Sequence, residues 1–562
     1  MRFLAGLACL IPPWLVLGFF RFVPWDRSAY PLPWAAPFIV ALPVPEILVA
    51  LLLVQLLPSR GLLVRQAAGW LMSLALGLLT AWSIGEWFYR FFYREHVVLL
   101  RDLRLMPGMV NMLFSGSGGA DLALSTATYA AALLAALLIG RILYLFIKLA
   151  SRRLPSALPA RAGLLAALLV LAGLQYSLAP GDAPLPLLAA SLAKPDIPET
   201  PVVPEAPGTR TQTGNPAAHA VPGTTQAMQP EPGSGPGYLP DVHVFIVESY
   251  GHTLFTRERY REAMKPVYQE FTDFLGSRGW QGASSFLSSP AFGGRSWLAD
   301  ATLLAGIRLK TQEQYDAYLA SGSRNLSHRL GELGYHRILA ASGTQYSTPE
   351  WESIHEFDSY LLEKDFGYRG PFITFGRMPD QYLLYRVPHL FTRNPARQAA
   401  GETVGLQAPV FGWYLLSNSH VPFEAQPEYV EDWDSLGDGS IFHDAHVRYF
   451  DNNWLWGGEF PEGYLFSIEY ELKTIREFMD RYLDPMSLVV ILGDHQPRIP
   501  ISEPESSFSV PVHVLSGNAD LLKPLLEQGF QGRIVPDDEP LPHRGMEEFP
   551  RLLLDVLQPA RL

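Results

Sequence analysis

Cysteine is almost missing from this chain: one occurs in 562 residues, Cys9, and it stands in an apolar run. Disulfides within the chain, a CxxC metal site and a cysteine nucleophile are thereby excluded. Basic clusters are missing too. Lysine and arginine number 43 against 55 aspartates and glutamates, for a net charge of -12. No run of them forms the concentrated positive surface that a phosphate backbone requires, so nucleic acid is excluded as the main partner. A metal ion is the more natural partner of such a chain. Charge of either sign is scarce in the first 180 positions, where long aliphatic runs dominate, whereas positions 239–562 mix charged, aromatic and apolar residues as a soluble domain does.

The first part, 1–179, reads as an α-helical membrane domain of five spans. Crossing the hydrocarbon core takes roughly 20 mostly apolar residues. Five stretches approach that length: Phe3–Phe20, Trp34–Leu57, Ala67–Trp87, Leu122–Phe146 and Ala162–Leu178. The first has no small-residue cleavage pattern after it and four more follow, so it is expected to be retained rather than removed as a signal peptide. Arg2, the Arg60 and Arg65 connection, and the connection with Lys148, Arg152, Arg153 and Arg161 carry the basic excess of cytoplasmic loops. An odd number of spans then puts the C-terminal part outside the cytoplasm. Arg90, Arg94, Arg101 and Arg104 run against this pattern and read as an exposed outer loop. Glu46 and Glu86, within or at the edge of spans, read as facing the bundle or the interface. Residues 180–238, with AKPDIPETPVVPEAPG as their clearest part, have neither helical nor strand periodicity and read as an extended Pro-rich linker.

From 239 to 562, short β-branched runs alternate with helical ones, the signature of an α/β sheet with helices on both faces. Strands are expected at Val242–Val247, Arg337–Ala341, Val410–Leu416, Leu488–Leu492 and Val510–Leu515, and helices at Val267–Gly276, Leu326–Leu333 and Leu472–Tyr482. Ligands of such sheets bind beyond the carboxyl ends of the strands. VHVFIVES ends in Glu248, LVVILGDHQPR places Asp494 and His495 directly after its strand, and VFGWYLLSNSHVPF reaches His420 a few residues later. Two carboxylates and an imidazole combine hard oxygens with a nitrogen donor, a set suited to Zn2+ or Mn2+. A GDH after an apolar strand is also an ordinary strand-ending turn, so the metal reading rests on the three residues together.

Ser296 follows a Gly-Gly-Arg turn in SSPAFGGRSWLADATLLAG and opens a helical run, whose N-terminal N–H groups favour an anion. The position suits a nucleophile, and equally an N-cap serine. His443 and His446 in FHDAHVRYF, and likewise His252 and His543, read as polar loop or helix-face residues and stay outside the ligand set. The aromatic stretch YFDNNWLWGGEF reads as core packing.

VESYG, GGRSWLAD, SNSHVPF and GDH, in this order and spacing, resemble the catalytic domain of the lipoteichoic acid synthase and phosphoglycerol transferase group of the alkaline phosphatase (sulfatase-like) superfamily. The likeness extends to the spans, the tether and the exported domain, although only the four short motifs are specific. It implies an alkaline phosphatase-like catalytic domain with a central, mostly parallel sheet. It also implies one divalent metal, Mn2+ before Mg2+ or Zn2+, and a hydroxyl nucleophile that carries a covalent phosphoryl-glycerol intermediate. Carried over by motif, Glu248, Asp494 and His495 bind the metal together with Ser296, and His420 contacts the substrate phosphate or assists proton transfer.

The chain departs from that pattern twice. The family nucleophile is usually threonine, and serine does the same chemistry. The family typically also has a Trp-x-Arg element that helps hold glycerol phosphate; PEWESIHEFD keeps Trp351 but has Ser353 at the arginine position, leaving Arg295 as the candidate replacement cation. A phospholipid donor, a glycan or other envelope acceptor, and a bacterial inner membrane with the catalytic domain in the periplasm complete the expectation. A sulfatase, another hydrolase of phosphodiesters or phosphomonoesters, and a non-catalytic envelope-binding protein are the rivals. The usual sulfatase needs a C/S-x-P-x-R setting; Ser288-Ser289-Pro290-Ala291-Phe292 lacks the arginine. The complete set of Glu248, Ser296, Asp494 and His495 stands against a degenerate domain.

Overall fold

The computed structural model describes residues 8–13, 50, 51, 53, 62–93, 121–153 and 239–557, the last without 345–346, 374, 376–377, 392–407, 444–445, 452–457, 504–505 and 537–543. The chain divides into two units, Met1–Asp196 and Ile197–Leu562.

In the first unit, helices α1 (Leu62–Tyr93) and α2 (Asp121–Arg153) pack on one another. Glycine permits their approach. A Cβ on Gly77 would lie 2.1 Å from the Ala136 carbonyl oxygen, and one on Gly140 would lie 1.8 Å from that of Ser73, the small-residue contact typical of helices in lipid. Ser73 and Thr80 donate their hydroxyls to the carbonyls of Gly69 and Leu76 at 2.7 and 2.8 Å, so neither leaves a bare donor in apolar surroundings. These two helices hold the third and fourth apolar stretches. Among the described residues Leu134–Arg152 is the one segment long and apolar enough to cross a membrane, and Gln66–Trp82 is a shorter apolar one. The first, second and fifth stretches lie largely or wholly outside the described residues, as does the 180–238 linker.

The second unit is built on an eight-stranded sheet: β1 (Val242–Val247), β2 (Gln281–Ser288), β3 (His336–Ala341), β4 (Ser359–Leu361), β5 (Val410–Leu416), β8 (Leu488–Gly493), β9 (Ser509–Ser516) and β10 (Arg544–Gly545). A separate antiparallel pair is formed by β6 (Ala425–Pro427) and β7 (Val447–Tyr449). The spatial order of the large sheet is β10-β2-β9-β8-β1-β5-β3-β4. β9 runs antiparallel to both of its neighbours, and all the other pairings are parallel.

The central strands β1, VHVFIV, and β8, LVVILG, are buried at every residue, as continuous apolar runs in a two-faced parallel sheet must be. Their side chains alternate between two cores. Phe245 and Val247 join the core filled by α3 (Glu258–Arg278), α6 (Asp380–Phe391) and α7 (Phe460–Tyr482). Val242, Val244 and Ile246 join the opposite core, filled by α4 (Ser296–Ala305), α5 (Leu326–Glu332), α8 (Ala519–Glu527) and α9 (Phe549–Leu557).

The five expected strands are present within two residues of their expected ends. The expected helices are the middle of α3, nearly all of α5 and the C-terminal half of α7. β2 has no counterpart in the sequence reading because QGASSFLS is serine-rich. It is a strand because its eight residues pair along β9, and its buried Ser284 hydroxyl bonds His513 Nδ1 at 2.8 Å.

Candidate active site and metal centre

β1 and β8 are neighbours with Val247 opposite Gly493, so the next residue of each strand, Glu248 and Asp494, leaves the sheet side by side. The approach depends on Gly493, where a Cβ would lie 1.9 Å from the Tyr250 carbonyl oxygen. Ser249 adopts a left-handed backbone, φ 58°. Its N–H donates to Asp494 Oδ1 at 2.7 Å and its hydroxyl to Glu248 Oε1 at 3.0 Å. Asp494 Oδ1 also accepts the His495 N–H at 2.6 Å.

The loop after β2 brings in the fourth group. Gly293, Gly294 and Arg295 have φ of 67°, 148° and 66°, and this left-handed turn ends at Ser296, the first residue of α4. The N-cap is Arg295 rather than Ser296, and it makes no side-chain capping bond. The serine is free of capping duty: its Oγ donates to Glu248 Oε2 at 2.7 Å and lies 3.3 Å from His495 Nε2.

His495 Nδ1 is 2.9 Å from the Gln496 carbonyl, which can only accept, so Nδ1 carries the hydrogen. Nε2 then faces Glu248 Oε1 at 3.2 Å and Asp494 Oδ2 at 3.5 Å. Glu248, Asp494 and His495 are buried, and one ligand atom from each lies within 4.8 Å of the others. Burial and the Glu248 charge push the Asp494 carboxyl up to about 8. Burial alone would lower the His495 imidazole, but the two carboxylates raise it to about 9. Burial would likewise raise Glu248, and the facing imidazoles of His495 and His420 instead hold it below the ordinary carboxylate range.

Protons hold this set together in the absence of a cation, and once they leave, two carboxylates and a ring nitrogen face one another in a dry pocket. Oxygen and nitrogen donors in this number fit a divalent cation. Asp300, absent from the residues expected at the site, lies one turn beyond Ser296 on α4. It is buried, its Oδ1 has no hydrogen-bond partner, and burial together with the charges of Asp494 and Glu248 raises its carboxyl well above the ordinary range. Its four-residue spacing from Ser296 was the available signal, since that spacing shares a helix face.

His420 sits on the turn after β5. Ser419 Oγ donates to the Glu248 carbonyl at 2.6 Å. The His420 ring stacks on Phe375 at 3.8 Å and its Nδ1 pairs with the Val421 carbonyl. Burial lowers its imidazole, against the pull of Glu248, so it is neutral at pH 7.

Trp351 is not part of this group. It lies on the helix Pro349–His355 with its ring 3.6 Å from that of His355, packed against both neighbouring apolar clusters. Arg295 is half-buried directly before Ser296. His252 packs edge-on against Phe286 at 4.4 Å, and His443 Nε2 lies 3.2 Å from the Arg369 carbonyl. His543 and half of YFDNNWLWGGEF, residues 452–457, lie outside the described residues. Among the described residues the only cluster of ligand side chains is Glu248, Asp494 and His495.

No protein family model and no curated protein matches the chain. Solved structures do. A lipoteichoic acid synthase from Listeria monocytogenes aligns at 14% identity over 49% of this chain and 65% of its own, with a TM-score of 0.31. An alkaline phosphatase superfamily protein from Vibrio parahaemolyticus aligns at 15% identity over 57% of this chain and 67% of its own, with a TM-score of 0.35. A Streptococcus pyogenes phosphoglycerol transferase, in complex with sn-glycerol-1-phosphate, aligns at 11% identity over 57% of this chain and 75% of its own, with a TM-score of 0.34. These names are those of the group that the four motifs resemble. TM-scores of this size decide nothing about the chemistry of this chain, which stands on its own residues.

Those residues can do the following. A hydroxyl at the N-terminus of a ten-residue helix meets the positive end of the helix dipole, where a phosphoryl group is favoured. It is hydrogen-bonded to a carboxylate held in the ionised form, and the His420 imidazole is near enough to that carboxylate for each to shift the other's titration.

Proposed function

We propose that this chain is a membrane-anchored, metal-dependent phosphotransferase. It moves a phosphoglycerol-type group from a phospholipid donor to a glycan or other envelope acceptor, with its catalytic domain on the periplasmic side of a bacterial inner membrane. The observation that carries this reading is the convergence of Ser296 Oγ, at a helix N-terminus, on the Glu248, Asp494 and His495 cluster.

In the first half-reaction Ser296 Oγ loses its proton and attacks phosphorus. The bond to the lipid alcohol breaks, and that alcohol leaves with a proton. In the second half an acceptor hydroxyl attacks the seryl phosphodiester, releasing Ser296 and regenerating its Oγ–H. Each half moves one proton, and His420 is the candidate to take it up or give it back. Glu248, Asp494 and His495, together with Ser296, would hold the cation, Mn2+ before Mg2+ or Zn2+. Bound there, a divalent cation lowers the pKa of the serine hydroxyl and offsets charge on a phosphoryl oxygen. Arg295 and Trp351 are the candidate contacts for the head group, Arg295 the better placed of the two.

Sulfate ester hydrolysis has less support. Ser288, the serine of the S-x-P setting, accepts a bond from Arg308 Nη2 at 3.0 Å, and Ser289 is buried with its hydroxyl donated to the Asp494 carbonyl at 2.6 Å. The decisive experiment incubates the purified protein and its Ser296→Ala variant with labelled phosphatidylglycerol and Mn2+ and follows diacylglycerol. Serine- and metal-dependent release is expected. No release from a protein that binds the metal would eliminate this donor.

A further inference from the structure

Two buried carboxyls are left unused by the site as described. Asp380 opens α6 and Glu471 lies within α7, and neither is exposed to solvent. Burying such groups is unfavourable unless they gain strong partners. Their partners are the backbone of one turn. Asp380 Oδ2 accepts the N–H groups of Ser417 and Asn418 at 2.8 and 2.7 Å. Glu471 Oε1 accepts the Asn418 N–H at 3.1 Å, and the same carboxyl takes the N–H of Ser419. The Asn418 side chain returns the contact, its Oδ1 accepting the Asp380 N–H at 2.6 Å. The two carboxyls are also hydrogen-bonded to one another, which requires one proton between them. Burial raises both carboxyls, and the Asp380 charge adds to the rise at Glu471, which lies well above the ordinary range.

The turn they hold is the one that serves the site. It follows β5, sends Ser419 Oγ to the Glu248 carbonyl at 2.6 Å, and continues directly into His420, whose N–H donates to the Ser417 carbonyl at 3.0 Å. An ordinary strand-ending turn is satisfied by water or one short side chain. Here three successive N–H groups are gripped by two carboxyls from two different helices.

We infer that Asp380 and Glu471 are positioning residues for His420, clamping the backbone of Ser417, Asn418 and Ser419 so that the imidazole stands beside Glu248. The inference rests on the reading of His420 as a participant in phosphoryl transfer.

The test is a double-mutant cycle on the full chain in detergent, with phosphatidylglycerol turnover and Mn2+ binding measured for Asp380→Asn, His420→Ala and the pair. His420→Ala is expected to lower kcat about 100-fold, as loss of a proton-transfer group does. Asp380→Asn, which keeps the volume but leaves one acceptor oxygen where the carboxyl had two, is expected to lower kcat at least about tenfold, with KM and Mn2+ affinity within about threefold, and to cost less than about twofold once His420 is gone. Glu471→Ala, which removes the acceptor of the Asn418 and Ser419 N–H groups, is expected to lower kcat in the same His420-dependent way. Where Asp380→Asn fails to fold, Ser342→Ala takes its place in the cycle: it removes a hydroxyl bonded to Asp380 and to Ser417 Oγ (2.7 Å) but leaves both carboxyls. A full loss from Asp380→Asn or Ser342→Ala that persists in the His420→Ala background would overturn the clamp and leave the site reading intact. Unchanged turnover in His420→Ala itself would overturn the role of His420, and the clamp with it.

Discussion

Protons and a divalent cation compete for the same atoms, which makes the affinity of the candidate metal centre a test of its composition. Without cation, His495 titrates at about 9 and Asp494 at about 8, the first raised by the carboxylates around it and the second by burial and Glu248. Both must lose their protons to act as ligands. At pH 7 that removal costs about 2.7 kcal/mol for the imidazole and about 1.4 kcal/mol for the carboxyl, from 1.36 kcal/mol per pH unit. Affinity at pH 7 is therefore expected to be about 1,000-fold weaker than above pH 9, rising with pH at between one and two decades per unit between about 6.5 and 8. Calorimetric titration with Mg2+ or Mn2+ in buffers of different ionisation enthalpy counts the protons released, and between one and two are expected at pH 7. Stability follows the same linkage. Both groups bind protons more tightly folded than unfolded, so the stability contributed by His495 is complete below its unfolded value of 6.5 and is lost as pH rises through 9. That of Asp494 is lost as pH climbs from 3.8 to about 8. The cation-free protein thus loses Tm from pH 6.5 to 9, and the increment in Tm on adding cation grows over the same range. An affinity that is flat with pH, with no proton released, would refute the assignment of His495 and Asp494 as ligands.

Three further outcomes are expected. Ser296→Ala removes the nucleophile and leaves the three ligands, so diacylglycerol release is expected to fall at least about 1,000-fold, with Mn2+ affinity from calorimetry within about tenfold. Gly493→Ala drives a Cβ to 1.9 Å from the Tyr250 carbonyl oxygen and is expected to cost about 3 kcal/mol by chemical unfolding. Arg295→Asn keeps a residue that tolerates the left-handed backbone and removes the charge, so KM for the diester is expected to rise about tenfold with kcat nearly unchanged; an unchanged KM would remove Arg295 from the head-group contacts.

Much of the catalytic domain is legible in its sequence because its central strands are continuous apolar runs that end in chemistry. VHVFIVES and LVVILGDH each state a buried strand and then a candidate ligand, and the register of β1 on β8 turns that one-dimensional statement into adjacent carboxylates. Ser296 was legible from the Gly-Gly-Arg turn before it. What the sequence hides is whatever depends on partners far along the chain. β2 reads as a polar segment until β9 pairs with it. Asp300 reads as one more polar helix residue until α4 is laid against Glu248 and Asp494. Asp380 and Glu471, 91 positions apart by their numbers, give no sign of meeting on one turn. Trp351 is the reverse case: a motif letter singles out a side chain whose contacts within the described residues are those of packing.

Backbone strain is distributed in a way that bears on how the site is aimed. Among the described residues three non-glycine residues have positive φ, Ser249, Arg295 and Glu356, and the first two directly adjoin Glu248 and Ser296. A left-handed backbone at such residues is unfavourable by about 1–3 kcal/mol each and persists only where surrounding bonds impose it. At Ser249 those bonds are two: its N–H is held by Asp494 at 2.7 Å, and its carbonyl accepts the Tyr464 hydroxyl at 2.8 Å. Asp494, a candidate ligand, thus also fixes the turn that aims Glu248, another. At Arg295, the two preceding glycines carry the rest of the turn, so that the helix begins at the serine itself and its hydroxyl points at the carboxylate instead of capping its own helix. A serine that merely started a helix would have no need of that geometry, and a strand end that merely turned would have no need of Ser249 in the left-handed region. The strain is accounted for when both loops are required to bring one hydroxyl and one carboxylate to 2.7 Å across 48 positions of sequence.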